Sequence, residues 1–246
     1  MRVFIINLKS DIQKKNEIIQ QCKRLKIKFE IIDAVCGINL TDSDLDSLIN
    51  TDARYYLSRG EMGCALSHNA LYRRIIAEQL PFALILEDDA ILHNDTVHVI
   101  ALIEKRISKE DNIALLLYKT KFIYKNKMIA LSDDYIFYES NAPTLTHGYV
   151  ITNKAARTLL TLNAPVRVEA DAWRYFYFSR FVRTYSLNTD LILSHDVDKQ
   201  TSTIEKERRL KSDAQKQKRK SLDSKKSVIK IYHRLIRRIF LKKVKG

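Results

Sequence analysis

Three acidic residues in succession, Glu87-Asp88-Asp89, close the apolar run Phe82-Ala83-Leu84-Ile85-Leu86. Carboxylates this close repel one another unless protons or a cation neutralise them. Mg²⁺ or Mn²⁺ is the natural occupant, because it takes oxygen ligands and is commonly held by one or two carboxylates plus substrate phosphates. Taken alone, the same residues are explained equally well as a solvated acidic turn. The element in front of them bears on the choice. Five apolar residues after Pro81 are too few for a helix and suit a strand buried on both faces, as in a mostly parallel sheet. At the carboxyl end of such a strand, open α/β sheets bind their ligands.

The flanking pattern supplies the rest of that sheet. Arg2-Val3-Phe4-Ile5-Ile6-Asn7-Leu8 reads as a first buried strand, and Ser10 with Gln13 spells a capping box for a helix carrying Ile12, Ile18, Ile19, Cys22 and Leu25 mostly on one stripe. Phe29 to Ile32 is a second strand, and the strand-helix-strand order implies parallel pairing. Thr41 with Asp44 starts a short helix to about Ile49, and Ser58 with Glu61 opens a long one to about Gln79 that Pro81 stops. A helix at Thr96 to Ile107 and a strand at Ile113 to Tyr118 follow. Beyond Tyr118 the spacing predicts a hairpin in Lys121 to Ala130 around Lys125-Asn126, short strands at Tyr135 to Tyr138 and Leu145 to Thr152, and a helix from Asn153 to Leu162. Regular alternation followed by short, irregular elements predicts an α/β nucleotide-binding half and a more variable acceptor-binding half.

The 246 residues suffice for one sizeable core plus an appendage, and a hydrophobic content of 46% is that of a globular protein. The net charge of +14 is unevenly placed: residues 205–246 hold 17 Lys/Arg against 4 Asp/Glu, leaving about +1 for everything before them. A nearly neutral body is no footprint for nucleic acid. Cys22, Cys36 and Cys64 are odd in number and lack C-x-x-C spacing, which points to a reducing compartment rather than a disulfide framework or zinc site. The run Val3 to Leu8 is too short for a secretory core, and no stretch reaches the roughly 18 apolar residues of a membrane span. The expected location is the cytoplasm, at a membrane surface.

Three stretches taken together carry a resemblance: Phe4-Ile5-Ile6-Asn7-Leu8, then Gly60-Glu61-Met62-Gly63-Cys64-Ala65-Leu66-Ser67-His68-Asn69-Ala70-Leu71, then Ala83-Leu84-Ile85-Leu86-Glu87-Asp88-Asp89. Weaker matches follow at Gly148-Tyr149-Val150-Ile151-Thr152 and Gln200-Thr201-Ser202-Thr203-Ile204. In this order the chain resembles glycosyltransferase family 25, the lipopolysaccharide (lipooligosaccharide) galactosyltransferases, over about residues 2–205. The resemblance implies a GT-A-like α/β fold for residues 1–204, a UDP-sugar donor (UDP-galactose most often), a lipooligosaccharide acceptor, and a divalent metal, Mn²⁺ or Mg²⁺, at the acidic motif. It implies a metal-dependent hexosyltransferase, a beta-galactosyltransferase in the first instance. Glu87-Asp88-Asp89 stands for the family's Asp-x-Asp, with Asp89 the first choice of metal ligand, Glu87 a second and His195 a further one. A metal bridging the donor phosphates would stabilise the departing nucleoside diphosphate.

Asn7, Leu8, Glu61, Ser67, His68 and Asp88 would then line the donor. Several of the expected site residues also have an ordinary explanation: Asn7 and His68 as satisfied core groups, Glu61 as the capping partner of Ser58, and His195 as a strand-end histidine. An acceptor hydroxyl must lose a proton as it attacks, so an inverting enzyme needs a base. Asp171 matches the family's downstream Asp, with Glu169 as competitor, and Asp171 could equally cap a helix. Tyr72 stands where the family usually has Trp, and Lys14 and Lys15 where it usually has Arg. Residues 205–227 read as a charged, solvated helix or linker. Val228, Ile231, Tyr232, Leu235, Ile236, Ile239 and Phe240 then form the apolar stripe of a basic amphipathic helix suited to an anionic membrane surface. Two further readings are a non-catalytic basic adaptor for membrane or nucleic acid, which the intact acidic motif disfavours, and a transferase acting on protein hydroxylysine, as in the related collagen galactosyltransferases.

Overall fold

The computed structural model describes residues 1–141, 143–178 and 182–195, together with Asp213, Gln215, Gln217 and Leu241–Lys243. Its first strand, β1 (Arg2–Asn7), pairs in parallel with β2 (Glu30–Asp33) on one side and with β3 (Phe82–Glu87) on the other. The rest of the sheet is built from β5 (Ile113–Leu116), β6 (Phe122–Ala130), β7 (Ile136–Ser140), β8 (Gly148–Thr152), β9 (Arg183–Leu187) and β11 (Leu241–Lys243). The nine strands run in the order β11-β6-β7-β9-β5-β8-β3-β1-β2. A separate two-stranded antiparallel ribbon joins β4 (Ala90–Leu92) to β10 (Ile192–Ser194).

The sheet is mixed rather than mostly parallel in its pairings. β8 runs antiparallel between β3 and β5, and β7, β6 and β11 add antiparallel strands at the far edge. Because β8 reverses against both neighbours, β1, β2, β3, β5 and β9 still point the same way, and their carboxyl ends share one edge. The amino end of β8 reaches that edge too.

Alternation along the strands fills two cores. Val3, Ile5, Leu84, Leu86 and Val150 face the helices α1 (Ile12–Arg24) and α5 (Thr96–Arg106), where Ile18, Cys22, Val99 and Ile103 meet them. Phe4, Ile6, Ala83, Ile85, Tyr149 and Ile151 face α4 (Arg59–Ala77) and α6 (Asn153–Asn163), packing on Leu71, Tyr72, Ile75, Ala155 and Leu159. A strand buried on both faces explains why Phe82–Leu86 carries no polar residue. A smaller core joins α2 (Asp42–Leu48), α3 (Thr51–Tyr56) and the first turns of α4.

Local chemistry agrees with most of the expected helix starts. Thr41 with Asp44 and Ser58 with Glu61 form complete capping boxes. At α1 the cap is Asp11, not Ser10, and its carboxylate accepts from Lys14 N at 3.3 Å. A carboxylate is the stronger acceptor at a helix start. The hairpin expected around Lys125-Asn126 is one continuous strand, β6, whose register against β7 shifts between Tyr124 and Met128. An irregularity absorbs these residues without a chain reversal. Leu241–Lys243 pairs with β6 as strand, so the basic helix does not extend over these three residues. The rest of that helix, and most of the linker before it, lie outside the described residues. Among the described residues no helix is long and apolar enough to cross a membrane.

Helix α4 sits close because two glycines let it. A Cβ on Gly63 would lie 2.4 Å from Val35 O and 2.6 Å from Gly37 N, and a Cβ on Gly37 would lie 1.7 Å from Arg59 O. All of these are backbone atoms that cannot swing aside. Gly63→Ala is therefore expected to cost about 1–3 kcal/mol through overpacking, read as a lower urea midpoint at unchanged m-value. A midpoint equal to that of the parent would show the approach to be looser than described.

Candidate active site

The acidic turn after β3 lies where β1, β3 and the amino end of β8 meet. Asn7, the last residue of β1, donates through Nδ2 to Asp88 Oδ2 at 2.7 Å and to Asp11 O at 3.0 Å. Its Oδ1 is buried without a partner. Leu8, more than a third exposed, takes the chain out of the sheet, and its carbonyl accepts from Asp11 N.

Each acid meets different surroundings. Glu87 Oε1 receives the Thr146 hydroxyl and lies 3.2 Å from His68 Nε2, with its side chain 28% exposed. Burial alone would raise its pKa, but the hydrogen bond and charge of His68, with Thr146 and His147, hold it below the ordinary carboxylate value. Asp88 is pushed up to about 6, chiefly by burial, with Asp89 and Asp11 adding repulsion and Asn7 and Lys14 opposing it. Asp89 is raised by burial and then by the charge of Glu87, with Ser194, His147 and Lys14 acting against. The Ser194 hydroxyl donates to Asp89 Oδ2, while Asp89 Oδ1 is buried without a partner. The Asp89 carbonyl accepts from His195 N at 3.0 Å. His195, the exposed residue after β10, is thus brought to the acidic turn through its backbone.

Behind Glu87 stands a buried chain of polar side chains. His68 Nδ1 is 2.7 Å from the Tyr149 hydroxyl, which is 2.8 Å from that of Tyr72, and the His68 and Tyr149 rings stack at 5.8 Å. Both ring nitrogens of His68 are thereby engaged within the protein. Ser67 pins helix to loop, accepting from Val35 N at 2.8 Å and donating to Gly63 O at 2.7 Å. Glu61 is buried and holds Ser58 N at 2.7 Å. Of the residues expected at the donor, Asn7 and Asp88 are bonded to each other and His68 meets Glu87, one of the expected metal ligands; Leu8 follows at the exposed end of β1, and Ser67 and Glu61 bond to the backbone beside and within α4.

The segment before β8 closes the site. Leu145 adopts φ 76°, the Tyr118 hydroxyl donates to Thr144 O and Leu145 O, and Trp173 Nε1 donates to Leu145 O at 2.8 Å. Leu145 N donates to Asp171 Oδ2 at 3.3 Å. Asp171 lies just before α7 (Trp173–Phe178), and its carbonyl accepts from Trp173 N. The two candidate bases occupy different surroundings. Burial and then the charges of Asp171 and Glu87 raise the Tyr118 pKa, while Glu169 acts on Tyr56 in the smaller core. Tyr118, Thr146, His147 and Ser194 carry no motif in the sequence that marks them as site residues. Only the Gly148-Tyr149 run carried a signal there.

Residues 1–173 match the sequence profile of glycosyltransferase family 25 (LPS biosynthesis protein). The chain belongs to glycosyltransferase family 25. It is similar to the lacto-N-neotetraose biosynthesis glycosyltransferase LgtE of Neisseria gonorrhoeae, at 28% identity over 193 residues, 72% of this chain and 68% of that one. It is also similar to human procollagen galactosyltransferase 2, at 28% over 178 residues (65% of this chain, 27% of that one). The lipooligosaccharide biosynthesis protein lic2B of Haemophilus influenzae matches at 30% over 89 residues, 36% of this chain and 34% of its own length. The family 25 chain spans between 16% and 73% of the length of its curated relatives.

Asp88 carries a testable consequence. With a folded pKa of about 6 against about 3.9 for a free Asp, its contribution to stability is full below pH 4 and is lost as pH rises through 6. Asp88→Asn keeps an acceptor for Asn7 and cannot ionise. Its melting temperature should exceed that of the parent at pH 7.5, and the gap should close between about pH 6 and pH 4. A gap independent of pH would contradict the strained carboxylate.

Proposed function

We propose that this family 25 chain transfers a hexose, galactose in the first instance, from a UDP-sugar to a lipooligosaccharide acceptor, on a GT-A-like fold and with a divalent cation at the acidic turn. The observation that carries the reading is Asp89: a half-buried carboxylate whose Oδ1 is buried and lacks any partner, its pKa raised beside a second acid whose pKa is lowered. Such a site has surplus negative charge and an unused oxygen, and those residues fit Mn²⁺ or Mg²⁺. Asp89 would hold the cation, with Glu87 and His195 as further ligands. When bound, the cation neutralises charge building on the departing diphosphate.

The chain's own residues do the rest. The unpartnered, buried Oδ1 of Asn7 at the end of β1 offers an acceptor to a base or ribose donor. Lys14, whose charge already acts on Asp88 and Asp89, would meet the diphosphate as it leaves. Asp171 is the proposed base. One carboxylate oxygen takes the Leu145 amide, leaving the other for an acceptor hydroxyl, and Asp171 shares the Tyr118 surroundings with Glu87 as Glu169 does not. Tyr118, Trp173 and Asp171 hold the 143–147 segment in place, so that Thr146 keeps Glu87 oriented.

For the acceptor, the relatives named for lacto-N-neotetraose and lipooligosaccharide biosynthesis favour a bacterial glycan. The procollagen galactosyltransferases favour galactose as the donor sugar and make hydroxylysine the second choice of acceptor. The basic segment 205–246 would bring the enzyme to the anionic cytoplasmic face of the inner membrane, where a lipid-linked acceptor resides. Family membership and the intact acidic turn disfavour the non-catalytic adaptor.

A panel of UDP-sugars with Mn²⁺ tests the reaction. UDP-galactose should be turned over, chelator should stop it, and Asp89→Ala should abolish it. Asp171→Asn should lower kcat by about 10²–10⁴-fold, the usual contribution of a general base, and Glu169→Gln should not. Turnover indifferent to chelator and to Asp89→Ala would refute the metal assignment. Liposome flotation with anionic vesicles, with and without residues 228–246, tests the membrane role, and equal flotation would dismiss it.

A further inference from the structure

Cys64, His68 and Glu87 each bring one ligand atom to within 4.8 Å of the others. Cys64 and His68 are four residues apart and share one face of α4, and Glu87 meets them from the end of β3. We propose that these three side chains form a binding site for a thiophilic divalent cation of the Zn²⁺ class, separate in chemistry from the oxygen ligands of Asp89 and overlapping them only at Glu87. Sulfur, nitrogen and carboxylate oxygen make a zinc donor set, whereas Mg²⁺ and Mn²⁺ favour oxygen.

The hydrogen bonds behind His68 suit this role. In one tautomer, Nε2–H donates to Glu87 and Nδ1 accepts from the Tyr149 hydroxyl, whose oxygen accepts from Tyr72. In the other, Nδ1–H donates to the Tyr149 oxygen, the Tyr149 hydrogen turns to Tyr72, and the Nε2 lone pair faces Cys64 and Glu87. Hydroxyls reverse direction without displacing a heavy atom, so the bonds between His68, Tyr149 and Tyr72 can run either way, and the second direction leaves the Nε2 lone pair for a cation. Metal-binding imidazoles are fixed in this manner, by a partner on the other ring nitrogen. Ligation shifts the imidazole proton from Nε2 to Nδ1 and releases the Cys64 thiol proton to solvent, with no change of oxidation state. Access runs past half-buried Cys64 and the exposed part of Glu87, since His68 itself is 1% exposed. A cation held here takes Glu87 away from the acidic turn, so Zn²⁺ opposes whatever the turn binds.

Co²⁺ titrated into the intact chain reads this site directly, because a thiolate ligand adds a sulfur-to-cobalt charge-transfer band in the near ultraviolet. One equivalent should raise the band, and Zn²⁺ should displace it. Cys64→Ser should lack it, Cys36→Ser should keep it, and Tyr149→Phe should weaken Co²⁺ binding by about 10–100-fold, with circular dichroism confirming that each variant is folded. Asp89→Ala should keep the band, which separates this site from the cation site proposed for the sugar donor. Co²⁺ bound without the band, a band that survives Cys64→Ser, or no binding at all would each overturn the proposal.

Discussion

Three carboxylates at the end of one buried strand repel one another, and the site is arranged around containing that repulsion. Glu87 is kept ionised by His68 and Thr146, Asp88 is tied to Asn7, and Asp89 keeps one oxygen on Ser194 and one on nothing. The containment is unequal: the Glu87 pKa is lowered while those of Asp88 and Asp89 are raised. Neighbouring acids pushed in opposite directions are a mark of a functional site. The uncompensated charge gathers at Asp89.

The fold supplies each donor from a different element, which is why the site needs the whole carboxyl edge of the sheet. Asn7 comes from β1, His68 from α4, Thr146 from the segment before β8, and Ser194 from β10. Helix α4 reaches the edge because Gly37 and Gly63 permit backbone contact and Ser67 pins the junction. The 143–147 segment carries Leu145 in a left-handed conformation, which costs about 1–3 kcal/mol and persists only where surroundings over-determine it. Here Tyr118, Trp173 and Asp171 do so. In its proposed role as base, Asp171 would couple acceptor chemistry to the orientation of Glu87, because it also anchors this segment.

Much of this arrangement is legible in the residues. The apolar run ending in acids is a strand ending at the shared carboxyl edge of the sheet, and the Ser58–Glu61 capping box opens the long helix as its spacing requires. What the sequence does not carry is long-range pairing. The antiparallel insertion of β8 between β3 and β5 leaves no local trace, because a strand buried on both faces reads the same in either direction. That insertion is what brings Thr146, His147 and Tyr149 to the acids. Helix α3 is a single short turn-rich element without a full period of apolar spacing, and β6 hides its irregularity in a polar run that resembles a turn. Ser67 and Glu61 show a different difficulty, since residues within the motif also make ordinary structural bonds, here to Val35 N and Ser58 N.

In the proposed function Asp89 would couple a cation to a nucleoside diphosphate. Isothermal titration of UDP into the chain, with and without Mn²⁺, measures that coupling, which must be reciprocal if both ligands share one site. UDP should bind at least about tenfold more tightly with Mn²⁺, a coupling of about 1.4 kcal/mol, and Asp89→Ala should erase the difference. Equal UDP affinity in the presence and absence of Mn²⁺, or a difference that survives Asp89→Ala, would contradict it.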